Sequence, residues 1–150
     1  MPFEQLRGLT TRDILTALLG LLTGLVVGLL VYNGLRLFLF YAFPPPPSLD
    51  MARPEDLPAV LATFPPQFLV MMLLAWSVGI LSGGYTATRI ARQGPIAAWM
   101  TGLFLIVTGL IPLMIKGYPM WFVIMGILLT GLFGYLAGIL GDRVTQGQGR

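Results

Sequence analysis

The chain has no cysteine and no histidine, and only 10% of its 150 residues are charged. Without these two residue types it cannot form a disulfide, a thiolate nucleophile, an iron–sulfur cluster, a histidine general base or the usual zinc sites. Soluble domains are on average about a quarter charged. The scarcity of charge therefore argues against a soluble fold and against most enzymatic chemistry, and we expect no catalytic residue, metal or cofactor.

Apolar residues make up 56% of the chain, and the mean hydropathy is +0.83. They are concentrated in four runs, at about residues 14–43, 64–91, 95–115 and 118–140. Each run has the roughly 20 residues that a helix needs to cross about 30 Å of hydrocarbon. Strands of a membrane barrel would be about 10 residues long and would alternate in polarity. The sequence thus predicts a single membrane domain over residues 1–150, an all-α bundle of four transmembrane helices.

The first two runs are separated by a proline-rich segment, residues 44–66, which holds eight of the twelve prolines. Proline interrupts helices because it lacks an N–H and restricts the residue before it. Within this segment, residues 54–64 predict a short interfacial helix, with acidic residues in its first turn and apolar residues on one face. We therefore expect an external loop that carries a short helix lying along the membrane surface.

The distribution of lysine and arginine predicts the orientation. Four spans place both termini on one side of the membrane, and that side receives six basic residues: Arg7, Arg12, Arg89, Arg92, Arg143 and Arg150. The other side receives Arg53 and Lys116. By the positive-inside rule, both termini face the cytoplasm of a bacterial inner membrane. No basic stripe with interleaved aromatic residues is present, so a nucleic-acid partner is not expected.

Small residues recur at GxxxG-type spacing in three of the four spans. The glycines in these stripes are Gly20, Gly24 and Gly28 in the first span, Gly79 and Gly83 in the second, and Gly134 and Gly138 in the fourth. Residues four apart share a helix face, and small side chains let two helices approach closely in lipid. The stripes predict tight packing, either within the bundle or against another protein. The third span has no such stripe, and we predict that it is the most lipid-exposed.

Arg36 is the only charged residue well inside an apolar run, and Asn33 lies one turn before it. With the first helix centred in the bilayer, Arg36 is about 11 Å from the midplane. One interpretation is a contact to an anion or substrate, since charges within membranes are often functional. The other is an interfacial anchor that reaches the outer surface or pairs with Asp50, Glu55 or Asp56. The sequence favours the anchor.

Three short segments resemble those of small four-span bacterial inner-membrane proteins. They are the proline run that follows Phe43, the Ser82-Gly83-Gly84 stretch leading to Ala91-Arg92, and Tyr118-Pro119-Met120-Trp121-Phe122. The resemblance implies a four-span topology and a bacterial source. It implies no activity, cofactor or catalytic residue.

These features predict a non-enzymatic accessory or structural subunit that packs against itself or a larger membrane complex. The alternative is an oligomeric channel or transporter for a small solute or ion, with Asn33 and Arg36 at its outer mouth. No acidic residue lies within a predicted span, although proton-coupled carriers normally need one. The hydroxyl residues also form no obvious continuous stripe, which a channel requires. The expected partners are therefore the lipid bilayer and a membrane protein or a second copy of the chain.

Overall fold

A computed structural model describes residues 11–44, 53, 55–91, 96–110 and 118–147, and within these ranges it contains no strand. The helices in chain order are α1 (Thr11–Ala42), α2 (Leu57–Thr63), α3 (Pro66–Ala91), α4 (Ile96–Leu105) and α5 (Met120–Gly147). A π-helical segment, Ile106–Leu110, continues directly from α4. The prediction of an all-α membrane protein is confirmed.

Three of these helices, α1, α3 and α5, are long and apolar enough to cross a membrane. They correspond to the first, second and fourth predicted spans. The helical stretch Ile96–Leu110 is shorter, about 22 Å at 1.5 Å per residue, and the remainder of the predicted third span, residues 111–115, lies outside the described residues. Of the predicted external loop, only residues 44, 53 and 55–66 are described.

The short helix α2 begins later than the sequence suggested. It starts at Leu57, with Pro58 in its first turn and no acidic residue there. Asp56 takes the N-cap position, and its side chain makes no capping hydrogen bond. The predicted start of the helix at residue 54 is therefore wrong by three residues, and the acidic residues Glu55 and Asp56 precede the helix.

The long helices have defined relative directions. Gly20 of α1 lies against Ala87 of α3 whereas Gly28 lies against Gly79, so these two helices are antiparallel. Between α3 and α5 the paired residue numbers rise together, from Trp76 with Thr130 to Thr88 with Gly141. Helices α3 and α5 are therefore parallel and in register.

Helix α4 runs in the opposite direction to α3 and α5. Ala98, near its start, lies against Gly84 of α3, and Gly109, near the end of the π-helical segment, lies against Trp76. In the same way, Gly102 faces Thr130 of α5 and Leu110 faces Gly126. The chain therefore reverses direction between α3 and α4 and again between α4 and α5.

Helix α3 is the centre of the bundle, because its backbone lies close to those of α1, α4 and α5, whereas the described backbones of α1 and α5 lie further apart. Among α1, α3, α4 and α5, the most exposed helix is α1. It buries five of its 32 residues, whereas α4 buries five of its ten. The prediction that the third span is the most lipid-exposed is therefore wrong. The sequence pattern misled because α4 also packs through alanine and threonine.

An apolar cluster occupies the end of the bundle where α1 finishes and α3 and α5 begin, which we term the α2 end. Val60 of α2 is fully buried there, and the rings of Phe64 and Phe68 stack with their centroids 4.1 Å apart. Tyr118 and Phe122 complete the cluster from the start of α5. Through these contacts α2 is packed against the transmembrane helices.

Candidate functional site

The glycine stripes of α1 and α3 pack against each other. A Cβ atom added to Gly24 would lie 2.6 Å from the carbonyl oxygen of Gly83, and one added to Gly83 would lie 2.6 Å from the carbonyl oxygen of Gly24. In the same way, a Cβ atom added to Gly28 would lie 2.9 Å from the carbonyl oxygen of Gly79, and one added to Gly79 would lie 2.9 Å from the carbonyl oxygen of Gly28. Real Cβ atoms do not approach other atoms so closely, so only glycine fits at these four positions with this backbone spacing.

The contact continues toward the other end of the bundle at Gly20. A Cβ atom there would lie 2.8 Å from the carbonyl oxygen of Ala87 and 2.9 Å from the backbone nitrogen of Ala91. The two helices thus touch along their backbones over about three turns. Because lipid provides little hydrophobic drive between helices, this close van der Waals contact is a main source of their association.

Trp76 is the central polar contact between helices. Its indole Nε1–H donates a hydrogen bond of 3.0 Å to the hydroxyl oxygen of Thr130 on α5, and its ring meets Tyr32 of α1 edge-on at 5.1 Å. Gly109 of the π-helical segment lies directly against the indole, where a Cβ atom would overlap the ring. Trp76 therefore links α3 to α1, to α5 and to the π-helical segment.

The glycines of α5 include Gly134 of the predicted stripe and Gly131 outside it, and neither packs against another helix as the glycines of α1 and α3 do. Gly131 and Gly134 have no atom within 4 Å of an added Cβ, and they line a groove of about 220 Å³ between α4 and α5. Gly102 and Ile106 form the α4 side of this groove. Gly131 is half-buried, whereas Gly134 and Gly138 are themselves buried. The surface of the α4–α5 groove is almost entirely apolar.

Arg36 lies at the α2 end and is partly buried. Its guanidinium carbon is 5.3 Å from the centre of the Phe40 ring, and its Nε atom is buried without a hydrogen-bond partner in the described part of the chain. The hydroxyl groups of Tyr32 and Tyr118 are within electrostatic range. Of the three predicted acidic partners, Asp50 lies outside the described residues.

Asn33 does not join Arg36 in a shared polar site. Its side chain is exposed, and its Nδ2 donates a hydrogen bond of 2.8 Å to the carbonyl oxygen of Leu29 in the same helix. Arg36, one turn later, is instead partly covered by aromatic side chains. The two residues that the sequence placed on one face therefore have different environments.

The buried hydroxyl groups are satisfied within their own helices. Each donates a hydrogen bond of 2.7–2.9 Å to the carbonyl oxygen four residues earlier, as seen for Ser77, Thr88, Thr101 and Thr130. This back-bonding is common where serine and threonine occur inside helices. Because each of these hydroxyl protons is already donated to a carbonyl oxygen, it is not available to hydrogen-bond a passing solute.

No family model, no curated protein and no solved structure matches this chain.

Among the described residues, no group of three or more acidic residues is placed where it could hold a metal ion. The arrangement of helices and the three features above, the glycine interface, the α4–α5 groove and Arg36, are therefore the basis for inferring function.

Proposed function

We propose that the protein is a small, non-enzymatic membrane subunit with four transmembrane helices, which packs against a helix of a second copy or of a larger membrane complex. The observation that supports this most directly is the α4–α5 groove. The glycines of α1 and α3 are already in contact with each other, whereas Gly131 and Gly134 face open space. A glycine-lined apolar groove lets a partner helix approach closely, which favours association in lipid.

The relative directions of the helices support the four-span topology. Helices α3 and α5 are parallel and in register, and each is long enough to cross the bilayer. A chain that leaves the end of α3 must therefore return to the opposite side of the membrane before α5 begins. Helix α4 runs in the returning direction and packs against both neighbours, so residues 92–119 would carry the third crossing.

Charge supports an orientation with both termini in the cytoplasm of a bacterial inner membrane. Arg12 at the start of α1, Arg89 in the last turn of α3 and Arg143 near the end of α5 belong to the same end of the bundle. Arg53 lies in the segment that precedes α2, at the other end. Basic residues are retained on the cytoplasmic side during insertion, so the α2 end would face outward.

The hydrogen bonding of the hydroxyl groups favours the subunit over the alternative of a channel. A pore needs polar groups along one face that can replace the hydration shell of a solute. In the interior of this bundle, Ser77, Thr88 and Thr101 instead donate to carbonyl groups of their own helices. Asn33 does the same on the exposed face of α1.

The proposal is tested by filling the groove. Gly131→Leu places a side chain in the α4–α5 groove, where an added Cβ meets nothing, so the chain should still fold while a partner helix is excluded. Gly34→Leu is the matched control, since Gly34 on α1 is equally open but lies away from the groove. Affinity purification in mild detergent, followed by mass spectrometry, measures what remains bound.

We expect wild type and Gly34→Leu to retain a stoichiometric membrane-protein partner or a second copy, and Gly131→Leu to lose it. Equal retention by all three proteins would contradict docking at the groove. A homo-oligomer that survives Gly131→Leu and conducts ions in reconstituted vesicles would instead support the channel.

A further inference from the structure

Among the residues that the structure describes, no acidic side chain compensates the charge on Arg36. Arginine stays protonated in proteins, and a charged group that leaves water needs hydrogen-bonding or ionic partners. Within the described residues Arg36 makes no ion pair, and its buried Nε has no acceptor. Phe40 places an electron-rich ring face 5.3 Å from the guanidinium carbon, which favours a cation but accepts no in-plane hydrogen bond.

The position of Arg36 along α1 brings it to the boundary of the hydrocarbon layer. Helix α1 has 32 residues and is about 48 Å long, so it projects beyond a core about 30 Å thick. With α1 centred, Arg36 lies about 14 Å from the midplane, close to the edge at about 15 Å. Phosphate groups of lipids begin just beyond that edge, within reach of a long side chain.

The groups around the guanidinium suit a phosphate. The planar guanidinium fork can donate two parallel hydrogen bonds to phosphate oxygens. Tyr32 and Tyr118 interact electrostatically with Arg36, so two hydroxyl-bearing side chains lie in its neighbourhood. We propose that Arg36 binds a phosphate group at the α2 end, supplied by the headgroup of an anionic phospholipid or by free inorganic phosphate.

This site is separate from the α4–α5 groove. None of the residues that line the groove is among those placed around Arg36, which are Phe40, Tyr32 and Tyr118. A phosphate at Arg36 therefore does not depend on a partner helix in the groove. If a variant loses phosphate binding at Arg36, docking of a partner helix in the groove can still be measured, and the reverse also holds.

The test compares Arg36→Gln with Arg89→Gln. Arg89 is a matched control, because it also lies four residues from an aromatic ring, that of Tyr85 at 5.8 Å, but sits at the opposite end of the bundle. Each protein is reconstituted in nanodiscs of phosphatidylglycerol and phosphatidylcholine, and native mass spectrometry counts the retained lipids. A second measurement follows the rise in thermal stability when inorganic phosphate is added in detergent.

We expect wild type and Arg89→Gln to retain phosphatidylglycerol in preference to phosphatidylcholine, and Arg36→Gln to retain about tenfold less, as for loss of a charge-assisted hydrogen bond. Arg36→Lys should fall between them, because lysine keeps the charge and loses the fork. If Arg36→Gln does not fold, wild type and Arg36→Lys provide the comparison. An Arg36-dependent response to inorganic phosphate alone would identify free phosphate as the ligand.

Two results would overturn the proposal. In the first, lipid retention and the phosphate response are the same in wild type, Arg36→Lys and Arg36→Gln. In the second, Arg89→Gln lowers retention as much as Arg36→Gln, which would show a general effect of net charge.

Discussion

At the scale of single residues, Trp76 connects three other elements of the bundle. Its indole contacts Tyr32 of α1, Thr130 of α5 and Gly109 of the π-helical segment, so one side chain of α3 touches every other long helical element. The ring is 4% exposed. Because Thr130 also donates to the carbonyl oxygen of Gly126, the pair forms a short chain of hydrogen bonds inside the bundle.

We predict that Trp76 and Thr130 are energetically coupled. Thr130→Val leaves the buried indole N–H without an acceptor, which costs about 1–3 kcal/mol. Trp76→Phe removes the donor and leaves a smaller ring. In the double variant no buried donor is left without a partner, so its destabilisation should be about 1 kcal/mol less than the sum of the single effects. Unfolding in mixed detergent micelles measures all four proteins.

The control for this cycle is Trp99→Phe, since Trp99 is 48% exposed. It should lower stability much less than Trp76→Phe and should show no coupling to Thr130→Val. Strictly additive effects of Trp76→Phe and Thr130→Val would mean that the hydrogen bond contributes nothing.

At the scale of helices, the pair α1 and α3 is held by direct backbone contact. The reciprocal distances at Gly24 and Gly83 leave no room for a Cβ on either side. A larger residue on one helix must therefore push the entire facing helix away. By contrast, α1 has an exposed glycine, Gly34, with no atom near an added Cβ.

We predict that Gly24→Leu destabilises the protein strongly and that Gly34→Leu does not. Overpacking in well-packed interiors typically costs about 1–3 kcal/mol, and a clash with backbone belongs at or above the upper end of that range. Thermal unfolding in detergent of wild type and both variants measures the difference. Similar stability of the two variants would show that the α1–α3 contact is looser than the distances indicate.

For the whole molecule, the parallel arrangement of α3 and α5 is the decisive feature of topology. In the proposed topology the chain between these helices crosses back through the membrane. Glu55 and the last turns of α5 lie at opposite ends of the bundle. In the proposed topology, with four crossings and cytoplasmic termini, the α2 end faces outward.

We predict that a cysteine at position 55 is accessible from outside and one at position 144 is not. The substitutions are Glu55→Cys and Val144→Cys, both at exposed positions, and the absence of native cysteine makes labelling specific. An impermeant thiol reagent should label Glu55→Cys in intact cells and Val144→Cys only after permeabilisation. The reverse pattern would contradict the orientation, and labelling of both in intact cells would contradict the topology.

The fold class could be predicted from the sequence because it follows from local properties. Runs of about 20 apolar residues must satisfy their backbone groups internally in lipid, so they form helices. The spacing of Gly24, Gly28, Gly79 and Gly83 likewise marks close packing on a helix face. These conclusions need no knowledge of which helix lies beside which.

The tertiary structure alone decided how each pattern is used. Gly24 faces Gly83 across a helix pair, whereas Gly134, which also belongs to a stripe of small residues at four-residue spacing, lines a groove between α4 and α5. Asn33 and Arg36 are close in sequence, yet one is exposed and the other is partly covered by Phe40 and its neighbours. The reason is that periodicity defines the face on which a residue lies, while its neighbours depend on the rotation and pairing of whole helices, which are set by contacts between residues far apart in the chain.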